Sequence, residues 1–100
     1  MTYANDVTAA IGHTPLVKIN RILPTGTGAN VLAKMEFMNP GGSVKDRPGL
    51  AIIRAAEASG ALQPGGTIVE ATSGNTGVAL CMVGAALGYR VVISMPSSMS

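Results

Sequence analysis

Two short stretches of this 100-residue chain carry side-chain types that could do chemistry. "NPGGSVKDRPG", residues 39–49, sets three consecutive charges between Pro-Gly-Gly and Pro-Gly, in a chain where only 12% of residues are charged. Lys45 at its centre is a primary amine, and a neutral amine attacks carbonyl carbons. A lysine at a helix start faces the positive end of the macrodipole, which disfavours an ammonium there. "TSGNTG", residues 72–77, offers Thr72, Ser73, Asn75 and Thr76 beside the unpaired N–H groups of a helix start, with Gly74 letting the backbone come close. That combination suits an anion. A carboxylate there would accept charge-assisted hydrogen bonds of about 1.5–3 kcal/mol each. Both stretches also have plainer uses: Ser, Thr and Asn serve as N-caps at most helix starts, and a lone loop lysine is usually only solvated.

The elements around these stretches follow from the punctuation by Gly, Pro, Ser and Asn. Short β-rich runs at 15–19, 31–37, 67–70 (ending in "ATSGN") and 90–95 alternate with helical patterns over about 44–59 and 75–87, with a surface loop at 24–30. Gly88 reads as the C′ residue of the second helix. The order β-β-α-β-α-β predicts an α/β fold, a parallel-type sheet with helices on both faces. Ligands of such sheets bind beyond the carboxyl ends of the strands. Both polar stretches follow strands and precede helices, so both belong to that edge. Ser43 and Asp46 fit a capping-box spacing, S-x-x-D. Pro48 conflicts with a helix begun that early, and a helix begun at Pro48 would make Arg47 the N-cap.

Composition narrows the function classes. One domain is expected at this length, burying roughly 60–65% of its unfolded surface. Hydrophobic residues make up 47%, with one Phe, two Tyr and no Trp, so the core is expected to be aliphatic. The net charge of +2 comes from seven scattered Lys and Arg, without the basic stripe or interleaved aromatics of a nucleic-acid binder. One cysteine, Cys81, excludes an internal disulfide framework and a cysteine metal cluster. It sits among apolar residues and reads as core, and the cysteine usage points to the cytoplasm. "MTYANDVTAAIGHTP" shows neither a basic start nor an apolar run, so no signal peptide is expected. The longest apolar run, 77–89, is too short to span a bilayer, and no membrane role is expected.

Taken together, "NPGGSVKDR" and, about thirty residues on, "TIVEATSGNTG" resemble the fold type II pyridoxal-phosphate enzymes, and within them the cysteine synthase and cystathionine β-synthase group. "IGHTPLVKI", "AEASGALQPGGTIVE" and "GYRVVISMPSSMS" extend the resemblance over nearly the whole chain. It implies the tryptophan synthase β-like fold, pyridoxal 5′-phosphate as cofactor, and β-replacement on an activated L-serine. O-acetyl-L-serine and sulfide giving L-cysteine and acetate is the implied pairing. By the same resemblance Lys45 holds the cofactor as a Schiff base and moves the Cα proton, and Asn75 hydrogen-bonds the cofactor's 3′ oxygen. Thr72, Ser73, Asn75 and Thr76 grip the substrate carboxylate, while Asp46 and Arg47 are structural. The implied partners are an amino-acid substrate, a sulfur donor and a second copy in a homodimer. Residues 1–100 correspond to the N-terminal portion of such an enzyme, with the domain that grips the cofactor phosphate lying outside them.

His13, Pro48 and Ala71 depart from the common pattern of that group at positions without a chemical role. Thr76 and Gly77 after Asn75 favour a synthase over a serine or threonine dehydratase, whose loop typically reads Ser-Gly-Asn-His-Ala. Cystathionine β-synthase shares more of the motifs. Two readings of another class are a catalytically incomplete interaction module and a nucleotide-binding module. For the latter, "GNTG" lacks the G-x-G-x-x-G spacing and no acidic residue follows the last strand.

Overall fold

The computed structural model describes residues 2–22, 24 and 26–98. The first strands are short. β1 (Leu16–Lys18) and β2 (Leu32–Lys34) pair antiparallel, with Leu16 opposite Lys34 and Lys18 opposite Leu32. Flanking bonds extend the ladder: Ile19 N–H donates to the Val31 carbonyl and Met35 N–H to that of Pro15, each at 2.9 Å. The reach over 15–19 matches the sequence reading, whereas the second run ends early. Met35 (φ −87°, ψ 66°) turns the chain out of the strand, and Glu36–Met38 form one 3-10 turn. Where they are described, the residues of the loop at 24–30 are exposed; Thr25 lies outside the described residues.

The parallel pairing implied by alternation is found in the second half. β3 (Thr67–Ala71) and β4 (Arg90–Ser94) run parallel, Thr67 opposite Arg90 and Ala71 opposite Ser94. α2 (Asn75–Leu87) connects them. β1 and β2 stand apart from this pair as a separate two-stranded ladder, because consecutive strands without a helix between them return antiparallel. Gly88 ends α2 in the left-handed conformation (φ 83°), and Tyr89 N–H closes the helix by donating to the Gly84 carbonyl at 2.8 Å.

α2 fixes the arrangement. Ile53 of α1 (Asp46–Ser59) and Leu80 and Val83 of α2 form the buried centre, with Ile68 and Val91 packed against it from the strands. Each fully buried side chain of this kind stabilises by about 1.5–3 kcal/mol. Small residues set the closest approaches. A Cβ on Gly49 would come 3.0 Å from that of Ala79, so the two helices touch there with almost no side chain between them. A Cβ on Gly84 would run into Val91, and one on Gly77 would meet Thr72 Cγ2 at 2.8 Å. At the other end of α1, Glu57 accepts from Tyr89 Oη and, at 2.9 Å, from Arg54. The tyrosine's hydrogen bond, then the arginine's, hold the Glu57 carboxyl below its ordinary range.

Val69 and Val92, on the side of the strands away from α2, are 67% and 38% exposed. The accessible surface is 6849 Å², against roughly 5,300 Å² for a closed monomer of this mass. The radius of gyration is 17.4 Å, against about 13 Å. The arrangement is open, and one face of the β3–β4 pair is uncovered among the described residues.

Candidate functional site

Lys45 stands at the N-cap position of α1 with helical dihedrals (φ −67°, ψ −15°). The first helical bond runs from Gly49 N–H to the Lys45 carbonyl at 2.9 Å. Pro48 therefore falls inside the first turn, where a missing N–H costs no helical bond, and its conflict with the helix disappears. Neither sequence-based start is found: Arg47 is not the cap, and the capping box does not form. Ser43 Oγ instead accepts from Lys45 N–H at 3.1 Å. The Asp46 carboxylate turns back to accept from Gly41 N–H at 2.6 Å. Asp46 is fully buried, and its Oδ1 lies where a Gly41 side chain would begin, without a hydrogen-bond partner among the described residues. Only glycine fits at 41.

Beyond Lys45, Arg47 forks onto Glu36, Nε to Oε2 at 2.8 Å and Nη2 to Oε1 at 2.9 Å. Thr14 Oγ1 donates to Glu36 Oε1 at 2.6 Å, and the Asn39 amide donates to Oε2 at 2.9 Å. Asn39 also donates to the Ser43 carbonyl at 3.0 Å and accepts from Gly12 N–H at 2.8 Å. Arg47 first, then Thr14 and Asn39, lower the Glu36 carboxyl to about 2. The structural roles expected of Asp46 and Arg47 thus have specific partners, but Glu36, Thr14 and Asn39 were not singled out from sequence. Arg47 and Glu36 are eleven residues apart and Arg47 and Thr14 thirty-three, so no local spacing signals the cluster. The Lys45 side chain is exposed, and among the described residues its Nζ makes no hydrogen bond or ion pair.

The second stretch lies at the start of α2. Its N-cap is Gly74 (φ −137°, ψ −145°), and no side chain caps the helix. Thr72 Oγ1 accepts from Gly74 N–H at 3.4 Å, short of the first turn. Ser73, Asn75 and Thr76 make no side-chain hydrogen bond among the described residues, so their plain use as caps is not what the fold shows. Ser73 and Asn75 are exposed, Thr72 and Thr76 half-buried. The first helical bond, Val78 N–H to the Gly74 carbonyl, leaves the N–H groups of residues 75–77 outside the helical ladder.

The two helix starts share a reference point. Gly49 is four residues past Lys45, Ala79 is four past Asn75, and Gly49 and Ala79 touch. Each start therefore lies one turn, about 6 Å along its axis, from the same contact. Thr72 and Ser73 also line an apolar hollow of about 420 Å³ with Gly77, Val78 and Cys81. Lys45, Asn75 and Thr76 do not line it, and its walls carry little polar chemistry. Cys81 is exposed, which corrects its reading as core. α2 is apolar nearly all round, so its sequence does not reveal which side faces α1.

An unpartnered amine, an unpartnered carboxamide and an uncapped helix start fit pyridoxal phosphate in donor chemistry: an amine for its carbonyl, an amide for its ring oxygen, and N–H groups for the carboxylate of an amino acid. The parallel β3–α2–β4 unit places the chain in the α/β class. The comparisons make the class specific. The profile described as "Pyridoxal-phosphate dependent enzyme" matches residues 7–100, and the chain belongs to that family.

Cysteine synthase 1 of Emericella nidulans is 53% identical over 98 residues, 98% of this chain and 26% of the relative. Cystathionine beta-synthase of Rattus norvegicus is 53% identical over 96 residues, 95% of this chain and 17% of the relative. The crystal structure of O-ureido-L-serine synthase superposes with a TM-score of 0.91 at 49% identity, over 99% of this chain and 31% of that one. The chain thus spans about a quarter of the length of the first of these relatives.

Proposed function

We propose that the full-length protein carrying these residues catalyses β-replacement on an activated L-serine, converting O-acetyl-L-serine and sulfide to L-cysteine and acetate. Residues 1–100 form its N-terminal portion, and the grip on the cofactor phosphate comes from residues outside them. The observation that supports this best is the uncapped start of α2, which leaves Ser73, Thr76 and the N–H groups of 75–77 available to a carboxylate. Relatives named cysteine synthase add to it.

The chain's own residues divide the work. Ser73 and Thr76, with Thr72 and the first-turn N–H groups of α2, bind the substrate carboxylate and so orient the Cα–H bond. Asn75 would hold the cofactor's ring oxygen through its amide. Lys45 would hold the cofactor through its amine, and the same amine would take the proton from the substrate Cα. Pyridoxal phosphate, when bound, supplies the electron sink that makes that proton acidic. A cytoplasmic homodimer belongs to the same reading, tested by cell fractionation and size-exclusion chromatography.

Borohydride reduction of the holoenzyme followed by peptide mapping tests the central assignment. The label is expected on Lys45, and Lys45→Ala is expected to abolish the visible absorption of the bound cofactor. A label on another lysine overturns it. The relative named cystathionine beta-synthase favours a second reading, in which the nucleophile is a thiol-bearing amino acid. Competition between sulfide and such a thiol separates the two.

A further inference from the structure

We infer that Glu36 is a positioning residue for Lys45, closing a polar ring around the segment that carries the lysine. The inference rests on the reading of Lys45 as the cofactor lysine. Glu36 touches neither Lys45 nor residues 72–76 in the hydrogen-bond network, yet it joins both flanks of the lysine. On one side its Oε2 accepts from Asn39 at 2.9 Å, and Asn39 in turn donates to the Ser43 carbonyl at 3.0 Å, two residues before Lys45. On the other side its two oxygens take the Arg47 fork, two residues after Lys45. Thr14 Oγ1 adds a fourth donor at 2.6 Å. Four donors occupy the lone-pair sites of one carboxylate, so its charge is fully engaged.

Inside this ring the Asp46 carboxylate draws Gly41 N–H against the start of α1, at 2.6 Å. Lys45 is therefore the unpartnered side chain on a segment whose neighbours on both sides are tied. A ring of this kind sets where the Lys45 backbone stands, and with it where the amine can reach. Glu36→Gln keeps the shape but replaces one acceptor by an NH₂ group facing the donors of Arg47, Asn39 or Thr14. The ring then opens without a cavity.

The test uses the full-length holoenzyme with L-serine as probe and two readouts beyond turnover. These are the visible circular dichroism of the bound cofactor and the stopped-flow rate at which L-serine changes its absorption. Glu36→Gln and Arg47→Gln are each expected to alter the visible dichroism and to slow the L-serine step about 10- to 100-fold. The double variant should be no slower than the worse single one, because both break one unit. Variants that fold and bind cofactor with wild-type dichroism and wild-type rates overturn the inference. Should Glu36→Gln not fold, Thr14→Val removes the 2.6 Å donor to Glu36 together with the 3.2 Å acceptor of Arg47 Nη2, and it supports or overturns the inference by the same two readouts. A wild-type protein whose cofactor is not on Lys45 instead overturns the proposed function, and borohydride mapping reveals that independently.

Discussion

The Arg47 guanidinium lies against the Glu36 carboxylate in a two-bond fork, 2.8 and 2.9 Å long, that reaches from the first turn of α1 to the 3-10 turn after β2. The pair is partly open to water, with the Arg47 side chain 41% and that of Glu36 20% exposed. Its value is therefore screened, and geometry rather than charge is its main contribution.

A pH dependence follows from this pair. The Glu36 carboxyl falls from an ordinary 4.5 to about 2 on folding, so the native chain binds that proton more weakly than the unfolded one. The contribution is fully present above pH 4.5 and is lost as pH falls towards 2. Urea midpoints measured across that window should decline in the wild type, and Glu36→Gln should remove part of the slope. An identical slope in the variant would show that Glu36 does not carry it.

Neighbouring glycines separate two costs. Gly41→Ala drives a methyl group into the Asp46 carboxylate and displaces its bond to the backbone, for an expected loss of about 3–5 kcal/mol. Gly42→Ala meets no atom within 4 Å and carries only the strain of φ 86°, about 1–2 kcal/mol. Chemical denaturation of the two variants should rank them in that order.

His13 is the one non-glycine residue with positive φ among the described residues, at 53°. It is exposed, so substitution there reports on the backbone. His13→Asn should hold or raise stability by up to about 0.5 kcal/mol, since Asn tolerates this region well, whereas His13→Val should lose about 1–2 kcal/mol. Thermal unfolding distinguishes them.

The carboxylate contacts proposed for residues 72–76 give the functional prediction. Ser73→Ala and Thr76→Ala each remove one charge-assisted hydrogen bond and should cost about 1.5–3 kcal/mol in kcat/KM, roughly 10- to 150-fold. Lys45 should keep the cofactor in both. Comparing an amino acid with its carboxamide checks the cause, since unchanged discrimination would mean the loop does not read the carboxylate.

Local chemistry wrote much of this fold into the sequence. Gly88 at the end of α2, and the β3–α2–β4 alternation, needed only punctuation and period. The start of α1 was harder, because Pro48 fits a helix only once Lys45 is known to precede its first bond. β2 was overextended because Glu36 and Phe37 continue an apolar and polar mixture that the Met35 turn interrupts. Lys45 and 72–76 were legible as chemistry by residue type. The ring around Lys45 was not, since Thr14, Glu36 and Arg47 meet only after three segments have folded together.

α2 touches its neighbours where its own or their side chains are least, at Gly49 and Ala79, Gly77 and Thr72, Gly84 and Val91. Contacts of that kind have no compressible cushion. Sliding the helix by a fraction of a turn would bring backbone against methyl groups on two sides at once, so α2 is stiff against translation. Thr72, just ahead of the helix, packs against Gly77 within it, so a displacement of α2 presses on the end of β3 as well.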